Sequence, residues 1–470
     1  MKMFTFYSFL DRKVLFPIGE LLNGSNILRN YKLLQQSDWF EREQLYELQN
    51  KYLVRLVHHC YENVPYYTDL FNKNKIKPKD INNRNDLVKI PVLDKQLIRD
   101  NYDKLISKDV MNRKTKKHST GGSTGVPLQF QTDMQTWNMA WASTFRAWKW
   151  YGFNFGEKIF TIGGHSLVSD KKGLNKKDVF EKYLMRNFKF SSSEMKPADM
   201  KRHYQNFQKL KPSAIRGYAS TLFVFAKYIE DNQLPVVPIK IILTTGEVLL
   251  PQYKAKIQEI FKAPVFDNYG AGDGGISAHE CYMHEGLHIT EERSIIEICD
   301  ASGNPLPPGN VGNVITTDLH NYAFPFLRYQ VGDMSYIKKE LCSCGRKSRM
   351  LGEVLGRNGK LLYSKDGVPV SPTMLPVMLY PDLDYNKYEN QILYNKIDRF
   401  QIQQDARGDI KIFLKMKNSI DKDYDLFGFV IDNYKKTFPG SLISIEFVDS
   451  IKTMPSGKED YVSSDYSYIN

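Results

Sequence analysis

The sequence is poor in cysteine and has no long apolar run. Only five of its 470 residues are cysteines, and so small and odd a number excludes a disulfide-bonded scaffold. No stretch approaches the roughly 18 consecutive apolar residues of a membrane-spanning helix. A mean hydropathy of −0.45 excludes a multi-span membrane protein, and 42% hydrophobic residues exclude low-complexity disorder. We therefore expect a cytoplasmic, enzyme-sized chain of two or three domains.

Acidic residues are fewer than basic ones. The 65 lysines and arginines against 53 aspartates and glutamates give a net charge of +12, which suits a nucleic acid, an anionic membrane surface or an anionic small molecule. The basic residues are scattered apart from a patch at 113–118, and no nucleic-acid motif accompanies them. We predict a small anionic ligand and no nucleic acid. The apolar, basic N-terminal segment leaves peripheral membrane contact open, although packing on the large domain is the favoured expectation.

The spacing of apolar residues predicts an α/β fold in two domains. Residues 1–356 form a large N-terminal domain of mixed sheets and helices, with a helical extension at 1–100, and residues 357–470 form a small, mobile α+β lid. In the large domain short buried strands alternate with helices, so the loops after the strands gather at one sheet edge. The predicted strands are 158–163, 214–218, 239–244, 264–268, 401–404, 410–416 and 442–448, and the predicted helices include 222–232, 251–261 and 423–438.

A loop rich in glycine and hydroxyl groups follows the basic patch. It contains Ser119, Thr120, Gly121, Gly122, Ser123, Thr124 and Gly125. Such a backbone can curl with positive φ and point its N–H and hydroxyl groups at an anion. It is not a Walker loop, because no Gly-Lys-Ser/Thr follows. Taken alone, the loop has two interpretations, a phosphate-binding loop and a plain surface turn.

Four further loops follow this one in a fixed order. They lie at 244–248 (TTGEV), 268–275 (NYGAGDGG), 326–333 (FLRYQVGD) and 455–458 (PSGK). The ordered set resembles the adenylate-forming superfamily of acyl-CoA synthetases, peptide-synthetase adenylation domains and luciferases. Within that superfamily the chain most resembles the phenylacetate–CoA ligase branch and its capsular-polysaccharide-biosynthesis relatives. The resemblance extends from roughly residue 40 to 460 and agrees in order and in spacing.

The resemblance implies an ATP-dependent reaction. A carboxylate attacks the α-phosphorus of ATP and gives an acyl-adenylate and pyrophosphate, and positioning with charge neutralisation dominates such transfers. The loop at 119–125 would hold the departing phosphates, and Tyr269 would stack on the adenine beside the 246–247 segment. The nucleotide-contacting positions that the resemblance implies outside the phosphate loop are Gly246, Glu247, Asn268, Tyr269 and Gly270.

Two aspartates have roles that the resemblance implies. Asp333 would accept hydrogen bonds from both ribose hydroxyls, which suits a carboxylate because its oxygens only accept. Taken alone, Asp333 also fits a turn-capping residue after Gly332. Asp273 stands where the family usually has a glutamate near Mg²⁺. The Gly272-Asp273 pair departs from the usual Thr-Glu, and the shorter side chain implies a weaker or water-mediated contact with the ion.

Lys458 is the catalytic residue that the resemblance implies for the first step. One ammonium on a flexible arm near the C-terminus can reach between the substrate carboxylate and the α-phosphate, where it stabilises charge that grows in the transition state. An ordinary solvated lysine is the alternative. Arg357 marks the hinge about which the lid would rotate between adenylation and acyl transfer, and it is a candidate ribose contact. A simple linker is the alternative for the hinge.

Three cysteines and a histidine form a candidate metal site. Cys342 and Cys344 lie in Cys-Ser-Cys-Gly, and Cys281 shares a loop with His284 and His288. A Cys-x-Cys pair with a distant Cys-plus-His loop can complete a tetrahedral N/S zinc site, with His288 as the preferred fourth ligand. Such a site would be closed and structural. The alternative is three reduced thiols without a metal.

These features together predict an ATP-dependent carboxylate-activating ligase. It would form an acyl-adenylate with Mg²⁺ and transfer the acyl group to CoA or another thiol. One alternative is an amide-forming ligase that acylates an amino sugar or amino acid for a surface polysaccharide, and residues 366–372 match such relatives better than the aryl-CoA ligases. A second alternative is a catalytically inactive scaffold relative, which Asp273 favours and which Asp333 and Lys458 oppose.

Overall fold

The computed structural model describes residues 14–119, 128–163, 179–191, 197–355, 362–367, 369–370, 374–379, 396–417, 424–451 and 462–466. The chain divides into two compact units. The larger comprises Met1–Glu247 and Tyr253–Val354, and the smaller comprises Val248–Gln252 and Leu355–Asn470. Within the described residues, no helix combines the length and the apolar character needed to cross a membrane.

The larger unit begins with a layer of helices. Its longest member has buried apolar side chains at helical spacing, among them Leu53, Leu56 and Cys60, which pack into a core shared with the antiparallel strands of the same unit. Its N-terminus is fixed by a capping box in which the Glu41 N–H donates to Gln44 Oε1 at 2.9 Å. The helices of the layer are α1 (Phe16–Asn23), α2 (Ile27–Ser37), α3 (Arg42–Asn63), α4 (Pro65–Lys73), α5 (Lys95–Asp100) and α6 (Tyr102–Leu105).

A buried carboxylate holds this helical layer to the rest of the unit. The fully buried Glu291 accepts hydrogen bonds from Arg42 Nη1 at 2.5 Å and from Arg349 Nε at 2.7 Å, and Arg84 Nη1 lies 3.8 Å away. Burial alone would raise the pKa of Glu291, but the surrounding arginines hold that pKa at about 2. The ion cluster therefore needs an ionised carboxylate at its centre.

The E291Q substitution is expected to lower the free energy of unfolding by about 3–5 kcal/mol, because it leaves buried arginines without their counter-charge. Since the folded pKa of about 2 lies below the ordinary 4.5, the wild-type carboxylate stabilises the fold above about pH 4.5. That contribution is lost as the pH falls toward 2. Urea unfolding at neutral pH and near pH 3 measures both effects. If the difference in free energy of unfolding between wild type and E291Q is the same at the two pH values, this explanation is contradicted.

A hairpin and a long helix follow the helical layer. Strands β1 (Thr115–Ser119) and β2 (Gln129–Asp133) pair antiparallel, with Ser119 opposite Gln129. Asp133 then caps α7 (Met134–Trp150), because its Oδ1 accepts the N–H of Gln135 at 2.9 Å. Its Oδ2 accepts the N–H of Tyr322 at 3.0 Å. This one aspartate therefore joins the hairpin, the helix and a distant loop.

The centre of the larger unit is a parallel sheet. Its strands are β3 (Ile159–Gly163), β4 (Asn187–Ser191), β5 (Ala214–Gly217), β6 (Ile241–Thr244) and β7 (Val265–Phe266), and helices α8 (Pro197–Leu210), α9 (Ala219–Asp231) and α10 (Pro251–Phe261) occur between strands. The spatial order is β4-β3-β5-β6-β7. The chain adds β4 on one side of β3 and β5 on the other, so the topology switches direction between β3 and β5. Ligands of open α/β sheets bind outside the carboxyl ends of strands at such a point.

Antiparallel strands complete the larger unit. They are β8 (Asn268–Ala271), β9 (Ile276–Glu280), β10 (Leu287–Ile289), β11 (Ser294–Cys299), β12 (Gly312–Asp318), β13 (Tyr329–Ser335) and β14 (Met350–Leu351), arranged as β14-β10-β9-β8 and β11-β12-β13. The turn from β8 to β9 needs glycine at Gly274, which has φ of 114° and where a Cβ would lie 2.5 Å from the Thr316 methyl.

The smaller unit has its own mixed sheet. The described elements are β15 (Leu362–Tyr363), β16 (Pro369–Val370), α11 (Met374–Leu379), β17 (Ile397–Gln404), β18 (Ile410–Met416), α12 (Tyr424–Thr437), β19 (Ile443–Phe447) and β20 (Val462–Ser464). The sheet order is β19-β18-β17-β20. Tyr434 on α12 donates its hydroxyl to the Leu375 carbonyl at 2.8 Å, which joins the two helices. The structure is thus of the mixed α/β class that the sequence predicts.

Candidate functional site

The carboxyl ends of β5, β6 and β7 meet at one edge of the parallel sheet. The loop after β6 is tied to this edge because the N–H of Thr245 donates to the Gly217 carbonyl at 3.1 Å. The next two positions, Gly246 and Glu247, are predicted nucleotide contacts. Gly246 is exposed and has φ of 76°, a conformation that favours glycine. The predicted adenine-lining segment therefore lies at the ligand-binding edge of the sheet.

Asn268 connects this loop to β8. Its Oδ1 accepts the hydroxyl of Thr245 at 3.0 Å, and its Nδ2 contacts Nδ1 of His279 at 2.9 Å. Burial, assisted by the charges of Arg146 and Arg293, lowers the pKa of His279 to about 3. A neutral imidazole nitrogen can accept from the Asn268 amide. Asn268 is thereby fixed between the loop and β9.

Two tyrosine–aspartate pairs join the β8 region to β13. Tyr269 donates its hydroxyl to Oδ2 of Asp333 at 2.8 Å. Tyr329, also on β13, donates its hydroxyl to Oδ2 of Asp273 at 3.0 Å. Residues 329 and 333 both lie on β13, whose pairing with β12 shifts register between Gln330 and Met334. The structure therefore brings together Tyr269, Asp273 and Asp333, three residues that lie in separate motifs of the sequence.

The stems of the glycine-rich loop are anchored near the same residues. Phe130 on β2 contacts Phe326 with ring centroids 5.8 Å apart, and Phe326 contacts Tyr329 at 4.9 Å. Ser119 ends β1 opposite the start of β2. The hairpin that carries the loop thus packs against the residues leading to β13.

Several predicted site residues lie outside the described residues. They are Thr120, Gly121, Gly122, Ser123, Thr124, Gly125, Arg357 and Lys458. The predictions for the phosphate loop, the hinge and the catalytic lysine therefore rest on the sequence and stay predictions. Gly246, Glu247, Asn268, Tyr269, Gly270, Asp273 and Asp333 are described, and all lie in the larger unit.

A second cluster of predicted residues lies where β9, β10 and the segment before β14 meet. Sγ of Cys281 is 3.5 Å from Sγ of Cys342, and Sγ of Cys344 is 3.5 Å from Nε2 of His288. The four ligand atoms lie within 4.8 Å of one another. Nδ1 of His288 is 2.9 Å from the Ser348 hydroxyl, so a proton on Nδ1 would leave the Nε2 lone pair facing the thiols.

The electrostatics differ among the four members of this cluster. Burial raises the pKa of the Cys281 and Cys342 thiols, which opposes the thiolate form that a metal ligates. Burial, with a further effect of Arg346, lowers the pKa of His288 to about 4, so the ring is neutral near pH 7. Burial opposes ionisation of Cys344, but hydrogen bonds and the charge of Arg346 outweigh it and lower the pKa of that thiol. It is the distances between ligand atoms that show the predicted set of Cys281, His288, Cys342 and Cys344 to be assembled in space.

Some residues of the site were not predicted from the sequence. Tyr329 holds Asp273, and His279 holds Asn268. No local pattern indicates the first, because the pairing of β12 with β13 shifts register between Asn313 and Ile315. The second depends on the antiparallel register that places Asn268 opposite His279, and no local pattern indicates that register.

Comparisons with known proteins find relatives of this chain by sequence and by fold. No protein-family profile matches the chain. The chain is 26% identical over 429 residues to Protein CapK of Staphylococcus aureus, covering 90% of this chain and 89% of that protein. It is 28% identical over 347 residues to a phenylacetate-coenzyme A ligase of Thermus thermophilus, covering 72% of this chain and 76% of that enzyme.

A solved structure shares the fold. The crystal structure of 2-hydroxyisobutyryl-CoA ligase in the postadenylation state, in complex with R3-HIB-AMP, matches with a TM-score of 0.74 and 16% identity, covering 92% of each chain. The chain thus has the fold of this CoA ligase. The prediction of an adenylate-forming ligase is confirmed by the sequence relatives named phenylacetate-coenzyme A ligase. The narrower resemblance, to the phenylacetate–CoA ligase branch, is confirmed as well, with CapK among the relatives.

Proposed function

We propose that the larger unit binds ATP at the sheet edge and activates a carboxylic acid as its adenylate, with release of pyrophosphate. A thiol then accepts the acyl group, and AMP leaves. The observation that carries this proposal is the convergence of Tyr269, Asp333 and Asp273 with the 245–247 loop. An aromatic ring, an acceptor carboxylate and a second carboxylate are the groups that an adenine, a ribose and a phosphate-bound cation respectively need. The 28% identical relative is named a phenylacetate-coenzyme A ligase, which supports the same reaction class.

Different described residues bind different parts of the nucleotide. Asp333 accepts the ribose hydroxyls, and the Tyr269 hydroxyl fixes the orientation of that carboxylate. The ring of Tyr269 and the backbone around Gly246 hold the adenine between them. The loop at 119–125 and Lys458 complete the proposal from the sequence, with the loop on the phosphates and the ammonium at the reacting carboxylate.

Asp273 is the proposed protein ligand for Mg²⁺. Carboxylate oxygens are the ligands that Mg²⁺ prefers, and Mg²⁺ usually keeps several waters while it binds one or two carboxylates and the phosphates. The Tyr329 hydroxyl holds the Asp273 carboxylate at the edge of the nucleotide site. When bound, the ion neutralises phosphate charge that would otherwise repel the attacking carboxylate.

CoA is the first proposed acceptor. The comparison enzymes are named CoA ligases, whereas the similarity to CapK covers more of the chain and keeps an amine acceptor on an amino sugar or amino acid as the second candidate. The proposal places the reaction in the cytoplasm, where ATP, Mg²⁺ and CoA are available together. The small acid and its acceptor are the proposed partners, and nucleic acid is not one.

The function is tested by carboxylate-dependent exchange of labelled pyrophosphate into ATP over a broad panel of acids. We expect exchange with at least one acid, and none without an acid or without Mg²⁺. Addition of CoA, or of an amine, to the active pair should then consume the adenylate and identify the acceptor. Absence of exchange with every acid would support the inactive scaffold alternative and contradict the proposal.

We further propose that Cys281, His288, Cys342 and Cys344 hold a structural zinc ion. Tetrahedral coordination with Zn–S near 2.3 Å and Zn–N near 2.0 Å places ligand atoms roughly 3.4–3.8 Å apart, which compares with the separations of 3.5 Å in the cluster. The ligands come from strand β10, the end of β9 and the 342–344 segment. A closed site of this kind stabilises the fold and leaves no position for a substrate.

Zinc content and stability test this second proposal. The purified chain should contain about one equivalent of zinc, and C342S should lose most of it and melt at a lower temperature. The matched control is C60S, because Cys60 is also buried and free but is not a member of the cluster. Zinc-free wild-type protein with unchanged stability in the presence of a chelator contradicts the proposal.

A further inference from the structure

One face of the parallel sheet changes from apolar to polar toward the carboxyl ends of its strands. The first row across this face contains Ile159, Ala214 and Ile241, which are fully buried in an apolar core. Two residues further along, the register places Thr161 opposite Arg216 in the next row. The same register places Asn187 and Lys189 on this face, beside β3. A partly buried guanidinium among these side chains loses hydration, so its presence at this position needs a physical reason.

Arg216 lies at the place where the topology predicts a ligand. It is on β5 beside β3, the point at which the strand order changes direction. The next residue, Gly217, accepts the N–H of Thr245 at 3.1 Å, and Thr245 in turn donates to Asn268. The charge of Arg216 is also one of the causes that lower the pKa of His279. Arg216 is therefore next to the proposed nucleotide site and within the same unit.

Among the described residues, the carboxylate that acts on the charge of Arg216 is Glu181, and it already has another cationic partner. Glu181, whose side chain is 2% exposed, forms an ion pair with Lys189 in the same row of the sheet. Arg216 places its guanidinium 5.8 Å from the ring centroid of Trp141, and among the described residues no hydrogen bond or ion pair is formed by it. Burial lowers the pKa of Arg216, which reflects lost hydration. A guanidinium has five donors in a fork that matches an oxyanion.

We propose that Arg216 receives a second oxyanion group of the acid substrate. The substrate class is then a carboxylic acid with a further carboxylate or a phosphate ester at the end distant from the reacting carboxylate. The inference rests on the proposed function and deepens it, because it concerns which acid the ligase activates. The Trp141 ring would contact the carbon skeleton, while the guanidinium discriminates for the charged end.

The test compares acids that differ only at the distant end. Pyrophosphate exchange is measured with hexanoate against adipate, benzoate against terephthalate, and a hydroxy acid against its phosphate ester, so the carboxylate and phosphate sources are separate arms. We expect the wild type to prefer a dianionic member by about 100-fold in kcat/KM. R216M should lose that preference because its KM for the dianionic acid rises, while kcat/KM for the monoanionic acid stays within a few-fold of the wild-type value. The matched control is R202M, because the Arg202 side chain is 64% exposed. It should change neither the preference for the dianionic acid nor kcat/KM for the monoanionic one.

Each outcome decides a different point. Equal use of mono- and dianionic acids by the wild type, or an unchanged preference in R216M, overturns the inference while the proposed function stands. Absence of exchange with both kinds of acid contradicts the proposed function itself. If R216M does not fold, R216K is informative because it keeps the charge but not the fork. The inference then expects KM for the dianionic acid to rise at least 5-fold with the monoanionic value unchanged, and an unchanged KM overturns it.

Discussion

Replacement of Asp333 by alanine should lower kcat/KM for ATP in pyrophosphate exchange by about 10²–10⁴-fold. The ribose would lose two charge-assisted hydrogen bonds to the carboxylate, each contributing about 1.5–3 kcal/mol. Asp333 is half-buried and receives the Tyr269 hydroxyl at 2.8 Å, so its orientation is fixed before the nucleotide arrives. Most of the effect should fall on KM for ATP, because the ribose contact is present in the ground state as well as in the transition state.

Two companion variants separate ribose binding from general damage. Y269F removes the hydroxyl that holds Asp333 but keeps the ring, and it should cost only about 10-fold. D300A replaces an aspartate that accepts the N–H of Asn304 at 2.8 Å in an exposed turn of the same unit, and it should leave exchange unchanged. If D333A has a near-wild-type KM for ATP and a normal melting temperature, the nucleotide does not bind at this edge of the sheet.

The K458A substitution should reduce pyrophosphate exchange by about 10³-fold or more. A preorganised cation beside the attacking carboxylate and the α-phosphate stabilises charge that develops only in the transition state, and removal of one such donor typically costs 10²–10³-fold. The loss should therefore appear in kcat, with KM for ATP nearly unchanged. The contrast with Asp333, where KM changes, distinguishes a catalytic contact from a binding contact.

The second half-reaction supplies the control for Lys458. When the acyl-adenylate is synthesised beforehand and added with the acceptor, K458A should transfer the acyl group at close to the wild-type rate, because the lysine acts in adenylation. K452A changes a lysine six residues earlier in the chain and should leave both half-reactions intact. Equal loss of both half-reactions in K458A would assign the lysine a structural role.

The fold could be predicted from the sequence where local pattern decides it. The strands expected at 158–163, 214–218 and 239–244 correspond to β3, β5 and β6, and the helix expected at 251–261 corresponds to α10. These segments have continuous apolar runs or helical spacing bounded by turn residues, so local physics suffices. The antiparallel strands of the larger unit were not individually predicted, because they depend on pairing between distant segments.

The site could be predicted as a set of residues but not as a set of contacts. The order of the loops indicated Tyr269, Asp273 and Asp333, yet nothing in their spacing indicated that Tyr329 would hold Asp273. The same holds for Arg216. Its place beside Thr161 at the topological switch follows from the register and the strand order. Long-range register is set by the packing of the whole unit, which local propensity does not contain.

Calorimetric titration of ATP into the wild type and into D333A measures nucleotide binding at this sheet edge by itself, because it needs neither the acid nor the acceptor. We expect saturable binding to the wild type with one site per chain, and a loss of affinity of at least 100-fold in D333A. Absence of ATP binding by the folded wild-type protein, or equal affinity of the two proteins, would contradict the proposed nucleotide site.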